Sequence, residues 1–510
     1  MFAVVSAVGA ICFIFVILFI YVIKQYRYWK NLGIPGPDPT FILGNMGDLY
    51  YQKASELRII DSWYQEFNNE PYIGYYNLWK PTLLVMDPQL IKELNEVDFD
   101  HFTDHPQICG NSNRDAIMHS LFTMKGNLWK LKRQIFSTLF APKKLKESVE
   151  IMNNYSPALI EEIDVHSECY EEIQMEQIAR RHMVRTMSHV MYSLDTSRNE
   201  QIFSKLCHLA EVFEHPPPAT SRMLTFFTAA PCLFKYLGLS SYPREFWDFF
   251  SNLTKHLLES RNELKIGRED LVSLVAQLQN GGSTKSDIID LRESVGHIFS
   301  FFIAGIHSNL TTLSYALFQL SRHPQVQEKL RHEVDSILSG NEYVSYDDVM
   351  KMKYLEDVIN ESLRMYPRGG VKFGAVIMRR TCTTPYKINE KFTIPKGMDV
   401  VFPVYSLHMD PRYFPAPEEF IPERFSQQEK PSPVFMPFGK GPRTCIGKRL
   451  AYVSLMVALA QIISNYIILP SPDTDYPVKF DPRSMIRTSR PLQKLKVRMH
   501  KRRKPCISTQ

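Results

Sequence analysis

The chain of 510 residues carries 60 Lys and Arg against 54 Asp and Glu, a formal charge of +6, with 44% hydrophobic residues. Hydrophobic content of this order supports a sizeable core and excludes a largely disordered chain. Eight cysteines without paired short spacings exclude a zinc ribbon or a small disulfide scaffold and point to a reducing compartment.

The first element is the run from Phe2 to Ile23, which holds no charged side chain. As a helix it spans about 33 Å, enough for a bilayer core, and Lys24, Arg27 and Lys30 follow it. The positive-inside rule then predicts a single transmembrane anchor over residues 1–23, with the body on the cytosolic side. A cleavable signal peptide would have a shorter apolar run, preceded by positive charge. Residues 24–37 form a basic and Pro/Gly hinge, because Pro35 and Pro37 forbid helix continuation.

Residues 38–493 contain no repeat or low-complexity linker and are read as one catalytic domain. Tyr72 to Tyr76 and Thr82 to Met86 are β-rich runs that predict a hairpin, and Asp87-Pro88 supplies a helix cap with proline at the first helical position. From about Ser286 to Arg322 there is no proline, and Phe299 to Ile306 is apolar on nearly every face, which predicts a helix through the core. Strand-like pieces return at Phe392 to Pro395 and Asp399 to Phe402. The expected class is mainly α with a minor β portion. Seven basic residues and no acidic one lie between Lys494 and Lys504, so residues 494–510 are read as a basic tail, free in solvent or attracted to anionic lipid. With that charge set apart the body is nearly neutral, which gives no case for nucleic-acid binding.

Chemistry concentrates at Phe438-Gly439-Lys440-Gly441-Pro442-Arg443-Thr444-Cys445-Ile446-Gly447. A cysteine just before an apolar helix sits where unpaired backbone N–H groups and the helix dipole stabilise a thiolate, and a thiolate so prepared can ligate a haem iron. A lone cysteine at a helix start is more often a small buried residue. A phosphate loop is excluded, because Gly441 to Gly447 is one residue too long and Arg449 stands where Ser or Thr should bind magnesium.

This stretch resembles the haem-binding signature of the cytochrome P450 family, F-G-x-G-x-R-x-C-x-G. Further landmarks of the family follow its order: Trp129 and Arg133 match W-x-x-x-R, Glu361 and Arg364 match E-x-x-R, and Pro422 to Phe425 matches P-E-R-F. Trp29 to Pro37 looks most like CYP3-type and thromboxane-synthase-type members. The resemblance implies the family's fold and haem b held by Cys445 as the axial ligand of its iron, within a loop formed by Phe438, Gly439 and Gly447. It implies that Trp129, Arg133, Arg380 and Arg443 donate to the haem propionates. His105 substitutes for an arginine that related sequences place after Phe-Thr. Glu361, Arg364 and Arg424 are implied to be a buried structural group.

The departure from the pattern lies at Ala304-Gly305-Ile306-His307-Ser308-Asn309, where most monooxygenases of the family have an acid followed by threonine. Ala304, Gly305, His307 and Ser308 are the expected catalytic residues. Ser308 keeps the hydroxyl and loses the methyl that holds its rotamer. His307 either relays protons in place of the acid or is a core histidine satisfied by a neighbouring helix.

The resemblance implies insertion of one oxygen atom from dioxygen into a lipophilic substrate. Electrons would come from NADPH through NADPH-cytochrome P450 reductase, with cytochrome b5 as a second donor, at the endoplasmic reticulum membrane. Lys130, Lys132, Arg133, Lys440, Lys448 and Arg449 would make the cysteine side a basic docking face. Phe213 to Leu239 would be an apolar access lid dipping into lipid, or a loop packed on the core. Two other readings stay open: a haem-thiolate isomerase or dehydratase acting on a peroxide without a reductase, and a non-catalytic haem-binding sensor.

Overall fold

The computed structural model describes residues 13, 16–17 and 19–502, apart from 108–109, 170, 216–218, 221–222, 224–226, 228–230, 265–268, 282–287, 368–376, 428–431 and 483–488. Its strands are β1 (Tyr72–Asn77), β2 (Lys80–Val85), β3 (Ile173–Gln174), β4 (Met378–Thr381), β5 (Tyr386–Lys387), β6 (Thr393–Ile394), β7 (Asp399–Phe402), β8 (Tyr466–Pro470) and β9 (Lys496–Lys501). Seven helices position the site: α1 (Gly126–Ser137), α2 (Met175–Tyr192), α3 (Glu200–Glu214), α4 (Arg244–Leu264), α5 (Leu291–Arg322), α6 (Lys353–Met365) and α7 (Lys448–Asn465). The molecule is mainly helical with small sheets, as the residue patterns predict.

The expected hairpin forms with Tyr72 opposite Val85 and Asn77 opposite Lys80, and Leu78 takes φ +55° in its two-residue turn. β2 then pairs in parallel with β7, and β7 pairs antiparallel with β4, in the order β1-β2-β7-β4. Asp87 caps the short helix Pro88–Lys92 by accepting from the Leu90 N–H at 2.7 Å.

α5 is the core of the molecule. Asp290 caps it by accepting from the Glu293 N–H at 2.8 Å, and His323-Pro324 follows its last turn. At 1.5 Å per residue its 32 residues span about 48 Å. Most side chains from Ser294 to Ser321 are buried, because α2, α4, α7 and the short helix Ala116–His119 pack around it. Gly296 permits the last of these contacts: a Cβ there would lie 2.4 Å from the Ala116 carbonyl oxygen.

Among the described residues no helix is long and apolar enough to cross a membrane, and most of the anchor expected over residues 1–23 lies outside them. Much of the expected lid over 213–239 likewise lies outside the described residues.

The basic tail is corrected. Lys496–Lys501 is strand β9, antiparallel to β8 and bonded on its other side to β3. Leu495, Val497 and Met499 alternate with the basic residues and are buried, so the run obeys strand periodicity. Its cations are paired: Lys496 with Glu172 at 2.9 Å, Lys501 with Asp164 at 2.6 Å and Arg502 with Asp335 at 2.6 Å. The domain therefore continues to Arg502, and residues 503–510 lie outside the described residues.

Candidate active site

The cysteine loop is folded by two glycines in the left-handed region, Gly439 at φ +75° and Gly441 at φ +70°. The Gly439 N–H donates to the Met436 carbonyl at 3.0 Å and the Cys445 N–H to the Phe438 carbonyl at 2.9 Å. At Gly441 no side chain fits, since a Cβ would lie 1.7 Å from the Asn95 carbonyl oxygen. α7 starts three residues after the cysteine. Cys445 is exposed by area, yet protein surrounds it closely enough that burial pushes its thiol up, opposed by the Gly447 N–H, Arg133 and Lys448. Together these make the loop one wall of the candidate site.

Around that wall the chain gathers cations. Arg133 donates to the Thr444 carbonyl at 2.8 Å, next to the cysteine. Arg443 donates to the carbonyls of Thr103 and Met124 at 2.8 Å each, and its guanidinium stacks 3.8 Å from the centre of the Trp129 ring. Arg380, only 1% exposed, donates to the Arg379 carbonyl at 2.8 Å and reaches the His105 Nδ1 at 3.5 Å. Burial pushes Arg380 down to about 10; burial and then the nearby Arg380 push Arg443 down to about 9. Burial, then Arg380 and Arg443, hold His105 well below the usual histidine range.

Burying positive charges this close is costly unless an anion joins them. The residues therefore fit haem b. Arg380, Arg443 and Trp129 would hold its propionate side with His105 behind them, and the iron's charge would deprotonate the raised Cys445 thiol.

A buried network anchors the loop. Arg364 donates Nε to Glu361 Oε2 at 2.8 Å and Nη2 to Oε1 at 2.9 Å, and Arg424 Nε joins Oε1 at 3.0 Å. Arg364 Nη1 donates to the His408 carbonyl at 2.9 Å, and the His408 Nε2 accepts from the Met436 N–H at 3.1 Å. Helix α6 is thus tied to the first turn of the cysteine loop. Burial, helped by Arg364, pushes His408 down to about 3, which keeps its ring neutral and able to accept. The sequence marks the three charged members, but not His408, which no spacing rule singles out.

Within the buried stretch of α5, Ala304, Gly305 and Ser308 are less fully buried than their neighbours. Ser308 donates to the Ala304 carbonyl at 2.6 Å and Asn309 to the Gly305 carbonyl at 2.9 Å, so both carbonyls are held by side chains one turn on. Gly305 faces Met187 of α2, whose sulfur would lie 3.3 Å from a Cβ there. Of the two readings open for His307, the structure shows the contact with a neighbouring helix. Its Nδ1 lies 2.9 Å from Glu214 Oε1 on α3, and its ring packs 4.8 Å from Phe213. Glu214 also binds Arg180 of α2 at 2.9 Å. Separations of 34 and 93 positions hid these partners from sequence reasoning.

The basic face is corrected in part as well. Lys132 is 1% exposed and pairs with Glu293 of α5 at 3.0 Å, because α1 turns that side inward. Lys130 pairs with Asp100 at 2.7 Å, while Lys448 and Arg449 are exposed.

Residues 34–497 match the family model of cytochrome P450. The chain is 32% identical to cytochrome P450 3A9 of Rattus norvegicus, over 94% of this chain and 93% of that protein. It is 30% identical to cytochrome P450 3A5 of Homo sapiens, over 94% and 93%, and 28% identical to cytochrome P450 6B2 of Helicoverpa armigera, over 93% and 94%. A cysteine in a two-glycine loop, a buried cationic wall and a core helix with its carbonyls held by side chains agree with that match, and the chain belongs to the cytochrome P450 family of haem-b monooxygenases.

Proposed function

We propose that Cys445 would ligate the iron of haem b, and that the chain inserts one oxygen atom from O2 into a lipophilic substrate. The observation that carries this reading is Cys445 in a two-glycine loop whose Arg443, two residues earlier, packs on Trp129 near the buried Arg380. Bound there, haem supplies the activation of dioxygen, and a thiolate ligand favours cleavage of the O–O bond.

The chain's own residues bind and orient. Arg380 and Arg443 would neutralise the carboxylates of the group, and Arg133 holds the Thr444 carbonyl next to the cysteine. Ser308 offers a hydroxyl on the less buried face of α5, where it can accept and pass a proton. The apolar side chains around that helix exclude water from the rest of the interior.

Electrons come from NADPH through NADPH-cytochrome P450 reductase, with cytochrome b5 as a second donor. Lys448 and Arg449 offer charge for docking on the cysteine side. The apolar run over residues 2–23 anchors the protein in the endoplasmic reticulum membrane, with the catalytic domain in the cytosol.

The reduced carbon monoxide complex tests the ligand. A red-shifted Soret band is expected for the natural chain and its loss for Cys445→His; a natural chain without that band overturns the assignment. A requirement for NADPH, reductase and O2 separates the monooxygenase from a peroxide isomerase.

A further inference from the structure

Three polar side chains from three helices meet inside the molecule, at the residue that precedes Ser308 on α5. Arg180 of α2 is 8% exposed, Glu214 of α3 is 4% and His307 of α5 is 6%. The carboxylate is divided between its neighbours. Glu214 Oε1 lies 2.9 Å from His307 Nδ1, while Oε2 accepts from Arg180 Nε at 3.2 Å and Nη2 at 2.9 Å. Phe213 packs on the same imidazole at 4.8 Å, so the last turn of α3 holds the ring on two sides.

A group of this kind is a poor way to stabilise a core. Well-packed apolar residues of similar volume serve as well or better, because each buried charge must first be stripped of water. Its position gives it another use. His307 directly precedes Ser308, whose hydroxyl lies on the less buried face of α5. Fixing the ring by Nδ1 sets its tautomer and orientation. In a low-dielectric interior the charges of Glu214 and Arg180 behind that ring act over a longer range than in water.

We propose that Glu214 is a positioning residue of the oxygen site: backed by Arg180, it holds His307 beside Ser308 and so supplies, from α3, the carboxylate that α5 lacks. The inference rests on the reading of Ser308 as an oxygen-site residue. It makes activation of oxygen depend on α3 being seated against α5, since Glu214 is the last residue of that helix.

Two readouts on the haem-loaded full chain test this without a known substrate. One is the C–O stretching frequency of the reduced carbon monoxide complex, which reports the local field. The other is hydrogen peroxide released per NADPH consumed with the reductase. Glu214→Gln and His307→Gln should shift the stretch in the same direction and raise the peroxide yield about threefold, the lower end of coupling between contacting residues. Combining them should add little further, and Glu214→Asp should recover most of the natural behaviour. Should Glu214→Gln fail to load haem, the paired variant Arg180→Gln with Glu214→Gln removes both charges of that pair and should show the same shift.

Natural values of both readouts in Glu214→Gln, or in the paired variant, with His307→Gln altered, overturn the role of Glu214 alone. Natural values in His307→Gln and Ser308→Ala together overturn the reading of the oxygen site on which it rests.

Discussion

His408 shows how one side chain can hold a loop that lies far from it in sequence. Its ring accepts from the Met436 N–H only while neutral, and burial keeps it neutral by pushing it down to about 3. In the unfolded chain a histidine titrates near 6.5. The folded state therefore binds fewer protons than the unfolded state between these values. Stability is fully present above about pH 6.5 and falls as the pH drops toward 3, with this residue contributing on the order of 1.4 kcal/mol per pH unit. His182, pushed down to about 4 by burial and then Arg185, adds a slope of the same sign. Urea unfolding at a series of pH values should show a shallower acid limb in His408→Gln, by about one proton, than in the natural chain. An unchanged limb would show that His408 is not neutral in the fold. Charged landmarks such as Glu361 and Arg364 were legible because they match a family motif, E-x-x-R, whose spacing alone would read as a surface pair. His408 was not, because its role depends on a guanidinium and an N–H that only the fold brings to it.

At the scale of elements, periodicity was a good guide where one pattern acted alone. The hairpin, the Asp87 cap and the proline-free α5 all follow from it. It failed in β9, where basic residues on one strand face masked the alternation of Leu495, Val497 and Met499 on the other. Lys132 failed for a related reason, since a lysine on an amphipathic helix reads as surface until its partner is known. In the fold it joins α1 to the first turn of α5 through Glu293, which also faces His297 at 3.5 Å. α1 carries Trp129 and Arg133, so this contact sets where those residues meet the cysteine loop. Lys132→Ala should cost about 3 kcal/mol, because it leaves a partly buried carboxylate without its lysine. Lys132→Met combined with Glu293→Leu should recover most of that loss. Denaturant unfolding of the two variants checks this, and equal losses in both would show that packing, not charge, dominates the contact.

For the whole molecule, the charge balance has a different meaning once the C-terminal residues are placed. The excess of +6 is matched by a cluster of basic residues near the C-terminus, and the fold uses four of them as ion-pair partners on and beside β9. β9 also closes a sheet: it bonds to β8 along five residue pairs and to β3 along two, and Tyr315 and Tyr466 tie neighbouring segments by further hydrogen bonds. Removing β9 would leave both partner strands with open edges and uncover the sites of Leu495, Val497 and Met499. A basic run that served only to attract lipid would be dispensable to folding. Two truncations separate these roles. Deleting residues 503–510 should leave the yield of haem-loaded protein and its reduced carbon monoxide spectrum as in the natural chain. Deleting residues 495–510 should abolish both, whether or not a membrane is present. If the longer deletion instead leaves a normally loaded protein with only weaker sedimentation with anionic vesicles, β9 is a membrane contact and not a structural strand.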